Sequence, residues 1–134
     1  MPTEKITYSV SVQPSDGPRL ISSDSFDFDA YGKFSAVVPG KAGSEPGTMD
    51  VHLPWGSGGL AGILVVVPSK MGDDLSYKVN DATASDTYVL DGPHVLLGKG
   101  AVGMLAAAPS TLFFSNDGTE EICVDILIGG DATP

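Results

Sequence analysis

Asp50 and His52 are the pair of residues in this sequence best suited to acid–base chemistry or metal binding. They stand two positions apart in an alternating stretch, so a strand would place both side chains on one face. A histidine beside a carboxylate can transfer protons or bind a metal ion. No second histidine stands two positions from His52, as the ligand pair of a cupin-like metal enzyme requires. We therefore favour an exposed strand face for Asp50 and His52.

Two glycine-rich segments resemble nucleotide-binding motifs but lack what those motifs require. Gly98, Gly100 and Gly103 have the spacing of the dinucleotide fingerprint, which holds a pyrophosphate at the N-terminus of a following helix. Pro109 ends that segment too early for such a helix. Residues 92–99 have five residues between their glycines, whereas a phosphate-binding loop has four. We therefore predict no nucleotide site and no cofactor.

Ser57 and Cys123 are the candidate nucleophiles. A nucleophile elbow requires glycine two positions before its serine, and Trp55 stands there. His52 and His94 are the two histidines, and no motif connects either of them with Ser57. Cys123 has no basic residue near it in the sequence, which indicates an unreactive thiol. The sequence thus predicts a protein that is not an enzyme, with no catalytic or metal-ligating residues.

Two further ligand classes stay open as alternatives. Calcium requires several oxygen ligands, and aspartates could supply them. The aspartates that stand close together in sequence are Asp24, Asp27 and Asp29, and Asp73 and Asp74. A sugar would require an exposed aromatic platform, and the aromatic candidates are Tyr8, Tyr31, Trp55, Tyr77 and Tyr88.

The charge of the chain is strongly acidic, with 17 acidic and 7 basic side chains and a formal net charge of −10. A chain of this charge has no basic surface to neutralise phosphates, so we expect neither nucleic acid nor an anionic membrane as a partner. One cysteine excludes an intramolecular disulfide and fits a cytosolic or assembled context. The first residues lack a basic segment followed by an apolar one, so we expect no signal peptide.

Alternating polar and apolar residues recur along the chain and predict short β-strands separated by turn-forming segments. Leu60–Val67 is a continuous apolar run, typical of a strand buried on both faces. Gly32 indicates a bulge or a bend, and residues 116–118 indicate a tight turn that pairs the last two strands as a hairpin. The fold class predicted is all-β: a single-domain jelly-roll-like β-sandwich over residues 1–134, with about eight to ten short antiparallel strands.

The C-terminal third of the chain carries a family resemblance. Residues 109–121, followed by 125–129, resemble the end of small structural proteins of tailed bacteriophages, which have a terminal hairpin of this type. Those proteins include capsid decoration (cement) proteins and small head or tail accessory proteins. The resemblance implies a virion component, made in the host cytoplasm, that assembles as a symmetric homo-oligomer on a shell.

The function expected is therefore that of a non-enzymatic structural protein that decorates or cements a phage capsid through protein–protein contacts. Its expected partners are other copies of itself and a capsid or tail protein. The residues predicted to make assembly contacts are Lys41, Glu45, Trp55, Ser57 and Leu127. A lectin-like carbohydrate-binding module and a small cupin-like enzyme are the two alternatives.

Overall fold

The computed structural model describes residues 4–28, 30–53, 60–105 and 110–131. Within these ranges the chain forms ten strands and one short helix. Their bounds are β1 (Glu4–Val12), β2 (Leu20–Phe28), β3 (Ala30–Val38), β4 (Gly47–His52), β5 (Leu60–Pro68), β6 (Leu75–Val79), β7 (Tyr88–Val89), β8 (His94–Leu97), α1 (Lys99–Val102), β9 (Thr111–Asn116) and β10 (Ile122–Asp131).

The eight strands from β3 to β10 follow the topology of a jelly roll. β3 pairs with β10, β4 with β9, β5 with β8 and β6 with β7, as in one long antiparallel hairpin. Rolling up that hairpin places β10 beside β5 and β9 beside β6. The two resulting sheets have the orders β3-β10-β5-β8 and β4-β9-β6-β7. The predicted jelly-roll-like β-sandwich is therefore confirmed.

The hydrophobic core lies between the two sheets, because every second side chain of each strand points inward. All four inward-facing isoleucines and valines of the last strand are buried, namely Ile122, Val124, Ile126 and Ile128. They form one cluster with Leu112 and Phe114 of β9 and with Leu64 and Val66 of β5. Burying one such side chain stabilises the fold by roughly 2 kcal/mol. This cluster therefore holds the two sheets together.

β1 and β2 form a separate two-stranded sheet, which we call the arm together with its connecting residues 13–19. The two strands pair in unbroken register from Glu4 opposite Phe28 to Val12 opposite Leu20. Nine residues per strand give the arm a length of about 30 Å. An isolated hairpin of two strands is marginally stable in water, so the arm depends on contacts with the jelly roll.

Phe28 attaches the base of the arm to the outer side of the β10–β5 pair. Its ring lies against Gly62 and Gly129, and a Cβ atom at Gly62 would overlap the ring. A Cβ atom at Gly129 would lie 2.5 Å from Cδ1 of Ile6 and 2.8 Å from Cγ2 of Ile63. Phe28 and Ile63 are both buried, although neither belongs to the cluster between the sheets. Two glycines thus create the space that the arm fills.

Of the bulge or bend predicted at Gly32, the bulge is wrong, and the irregularity in pairing lies on another strand. β3 pairs with β10 in unbroken register through Gly32. In β5, the pairing with β10 passes from Ile63 to Ala61 and leaves Gly62 as an extra residue. A bulge bends the strand that carries it. Here the bulged glycine is also the residue against which the Phe28 ring packs.

The predicted hairpin between the last two strands is also wrong, because β9 and β10 belong to different sheets. Asn116, which is fully buried, turns the chain from one sheet to the other. Its Nδ2 donates hydrogen bonds to the backbone oxygens of Pro39 (3.2 Å) and Glu120 (2.8 Å), and its Oδ1 accepts one from the amide of Gly118 (2.9 Å). The tight turn at residues 116–118 was expected to reverse the chain within one sheet. Instead, the Asn116 side chain stabilises the connection between the two sheets.

Replacing Asn116 by alanine is expected to destabilise the fold by about 2 kcal/mol, because three part-buried backbone groups, those of Pro39, Gly118 and Glu120, would lose their partners. Chemical denaturation monitored by circular dichroism measures this change. Thr119→Ala, in the same connection but exposed, is the matched control and should change stability by less than about 0.5 kcal/mol. Equal stabilities of the two variants would contradict the role assigned to Asn116.

Candidate functional site

One face of the arm is mainly apolar and continues outward from its base, with Ser22 and Asp24 among its residues, whereas Ile21 lies on the opposite face. On the mainly apolar face the Tyr8 ring stacks on Phe26 at a centroid distance of 5.4 Å, and Phe26 stacks on Phe28 at 5.6 Å. Farther out lie Val12 and Leu20, which are 58% and 72% exposed. The arm therefore covers the jelly roll at its base and presents apolar side chains to solvent near its tip.

The other face of the arm is rich in hydroxyl groups. Ser9 stands opposite Ser23 in the register of the hairpin, and Thr7 stands opposite Ser25. Strand alternation places these residues on the side away from Tyr8 and Val12. The two faces therefore provide matched positions, on the same strands, for testing the importance of the apolar one.

The outer side of the β3-β10-β5-β8 sheet carries the second group of apolar side chains, beside Lys33 and the bonded pair Ser35 and Asp125. We call it the aliphatic face, and it contains Val37, Val65, Val67, Val95 and Leu127. Val37, Val67 and Val95 are exposed, whereas Leu127 is half-buried. The run Leu60–Val67 was predicted to be buried on both faces, and the exposure of Val67 corrects that prediction. The aliphatic face also includes Cys123, whose thiol is free and exposed.

The three predicted assembly contacts that the structure describes do not all lie together. Leu127 lies in the aliphatic face. Lys41 and Glu45 are exposed on the connection between β3 and β4, where the Lys41 amide donates to the oxygen of Gly118 (2.7 Å). Trp55 and Ser57 lie outside the described residues, so their predicted roles stay predictions, as do those of Lys41 and Glu45. Sequence reasoning did not identify the tip of the arm, where Val12 and Leu20 flank the connecting residues 13–19.

Asp50 and His52 lie on the outer side of the other sheet, as the strand periodicity predicts. His52 is exposed, and its Nδ1 lies 3.2 Å from Oγ1 of Thr111, the residue opposite it on β9. Among the described residues, no three histidine, cysteine, aspartate or glutamate side chains are placed to hold a metal ion together. Gly98 precedes α1, which is four residues long.

The tyrosines proposed as a sugar platform are distributed over three places. Tyr8 belongs to the arm, and Tyr31 lies at the edge of the sandwich on the outer side of β3. Tyr77 and Tyr88 stack on each other at 5.5 Å between the sheets. The tyrosines of the described residues thus do not form one platform.

A cavity of about 320 Å³ opens between the sheets at β7 and β8. It is lined by Tyr77, Tyr88 and His94, together with apolar side chains that include Leu96 and Met104. The Tyr77 hydroxyl and Nδ1 of His94 share a hydrogen bond of 2.9 Å. Burial, together with the neighbouring Tyr88, raises the pKa of Tyr77 to about 12. The hydroxyl therefore stays protonated at neutral pH and can donate to an unprotonated Nδ1.

Comparison with known protein families, with curated proteins and with solved structures finds no match to this chain. The strand order defines the class, which is a jelly-roll β-sandwich. Within the described part of the chain, no helix has the length and apolar character needed to cross a membrane.

Tyr77→Phe is expected to remove the tyrosine that ionises near pH 12 and to destabilise the fold by about 1 kcal/mol through loss of the bond to His94. Because the pKa of Tyr77 is higher in the folded chain than the ordinary 10.0, its contribution to stability is complete below pH 10 and falls as the pH rises toward 12. Ultraviolet titration of tyrosinate measures the ionisation.

Tyr31→Phe is the matched control for this titration, because Tyr31 is exposed. This variant should keep the late ionisation that Tyr77→Phe removes. A late ionisation that persists in Tyr77→Phe would show that a different tyrosine is responsible.

Proposed function

We propose that this protein is a non-enzymatic structural protein that assembles with copies of itself and decorates or cements a protein shell, such as the capsid of a tailed bacteriophage. The observation that carries the proposal is the distribution of exposed apolar side chains. Seven of the eleven exposed large apolar side chains among the described residues lie on the arm or on the outer side of the β3-β10-β5-β8 sheet. These are Val12, Leu20, Ile21, Tyr31, Val37, Val67 and Val95.

Such a concentration of exposed apolar residues supports a role in protein association. Scattered single apolar residues are normal on a protein surface, whereas a concentration of them marks a contact with another molecule. The two apolar surfaces are continuous with each other. Phe28 and Ile6 at the base of the arm cover Gly129 and Ile63, at one end of the aliphatic face.

The arm and the aliphatic face match in chemistry, because both present exposed apolar side chains. The arm is a two-stranded ribbon, and its base already packs on the outer side of a sheet through Phe28. Its distal half, with Val12 and Leu20, can make the same kind of contact with the aliphatic face of a neighbouring copy. Each copy carries both surfaces, so the contact can repeat around a symmetric ring.

The charge of the chain fits this role. A net charge of −10 keeps free subunits soluble and apart, although each exposes apolar surface. A protein that binds the assembled shell but not its free subunits stabilises the shell by mass action. The resemblance of the C-terminal third to tailed-phage structural proteins supports a virion as the place of assembly.

Leu20→Lys is expected to weaken self-association at least about tenfold, because it places a charge in the apolar contact of the arm. Sedimentation velocity over a concentration series measures the association. Ser23→Lys is the matched control, since it adds the same charge to the same strand on the opposite face of the arm. Its association should equal that of the unaltered protein.

Binding to a shell is tested by sedimenting the protein with purified tailed-phage capsids through a sucrose gradient. The unaltered protein and Ser23→Lys should migrate with the capsids, and Leu20→Lys should stay at the top. A protein that is a monomer at its highest soluble concentration and never sediments with a particle would contradict the proposal.

A further inference from the structure

We propose that the outer side of the β4-β9-β6-β7 sheet carries a binding site for a neutral saccharide. We call this surface the polar face. It belongs to the sheet opposite the aliphatic face, so the proposal does not depend on the assembly function. The predicted tyrosine platform plays no part in it.

The centre of the polar face is Phe113, surrounded by side chains with hydrogen-bonding groups. In the register of the strands, Asp50 and Lys78 stand on either side of Phe113. In the next row, Thr48 and Ser76 stand on either side of Ser115. Side chains directly opposite each other across antiparallel strands are about 5 Å apart at their Cβ atoms. Phe113 and this polar ring are therefore within the span of one sugar residue and its hydroxyl groups.

These residues line a depression of about 360 Å³, with Ala82 at its rim. That volume lies within the range of small-molecule binding sites. Ala82 follows Asp81, whose carboxylate accepts hydrogen bonds from the amide (2.9 Å) and the hydroxyl (2.8 Å) of Thr83. These two bonds, the amide's first, lower the pKa of Asp81. The Asp81 carboxylate is therefore ionised at neutral pH.

The hydrogen-bonding groups in the depression are available to a ligand. Within the described residues, the side chains of Thr48, Asp50, Ser76 and Ser115 make no hydrogen bond to other protein groups. Hydroxyl groups can donate and accept, and a carboxylate accepts strongly from a sugar hydroxyl. Saccharides present both kinds of group around a ring, which suits this mixture of partners.

Phe113 supplies the apolar part of the site. Its ring is half-buried, so part of it faces the depression. The face of an aromatic ring carries negative partial charge and attracts the weakly positive C–H groups of a sugar ring. An apolar centre with a polar surround matches a molecule that has C–H groups on one face and hydroxyl groups at its edge.

The charges of the site indicate a neutral saccharide. Lys78 is the basic side chain in the depression, and it lies between the acidic Asp50 and Asp81. The whole chain carries −10, which repels sulfated or sialylated glycans. A neutral hexose or N-acetylhexosamine, free or within an oligosaccharide, avoids that repulsion.

The test is an NMR titration of the full-length protein labelled with ¹⁵N, with glucose, galactose, mannose and N-acetylglucosamine and with their short oligomers. At least one of these sugars should shift amide signals of β4, β6 and β9, with a dissociation constant on the order of 1 mM for a single sugar ring. Asp50→Asn and Phe113→Leu should each weaken binding about tenfold, because each removes one principal contact.

Asp125→Asn is the matched control, since Asp125 lies on the outer side of the opposite sheet and bonds to Ser35 Oγ there (2.7 Å). It should bind the sugar as the unaltered protein does. Leu20→Lys should also keep sugar binding, which separates this proposal from self-association. Absence of binding to every sugar, binding to heparin instead, or equal affinities of Asp50→Asn and Asp125→Asn would overturn the proposal.

Discussion

The position of the last strand is the constraint on which the rest of the fold depends. β10 lies in the interior of its sheet and pairs with β3 on one side and with β5 on the other. The bond between Ser35 and Asp125 joins residues 90 positions apart. Bringing together residues this distant along the chain costs conformational entropy before the contacts that offset this cost have formed. Such a pairing makes folding slow. Without β10, β3 has no partner, and the core loses four buried aliphatic side chains.

The sequence predicted the elements of the fold better than their pairing. Strand alternation predicted the all-β class, and the strand count led to a jelly roll. Alternation does not encode which strands are neighbours, and so the turn signal at Asn116 suggested a hairpin. The burial of Asn116 and its bonds to distant backbone groups override that local signal. The glycine within the β3 pattern likewise suggested a bulge or bend at Gly32, whereas the bulge lies at Gly62, the residue against which Phe28 packs.

The candidate surfaces were predicted less well, for a physical reason. In a half-buried strand the pattern shows which residues point away from the core, but it does not show what covers them. Val67 was expected to be buried because it belongs to a continuous apolar run, and yet the outer side of its sheet is covered only near Ile63 in the described structure. The sequence did not predict Phe113 as part of a site, because its polar neighbours Asp50 and Lys78 come from two other strands.

The opposition of the two outer faces has a geometric consequence for any assembly built from this chain. Subunits held through the arm and the aliphatic face would leave their polar faces uncovered, since the two sheets of a sandwich face opposite directions. A shell covered with such subunits would display a dense lattice of identical weak sites. On that lattice the strength of attachment to a surface of repeating sugars is governed by spacing and number rather than by single-site affinity. Many sites of millimolar affinity would then keep the shell attached to the sugar surface for a long time, although each single contact forms and breaks rapidly.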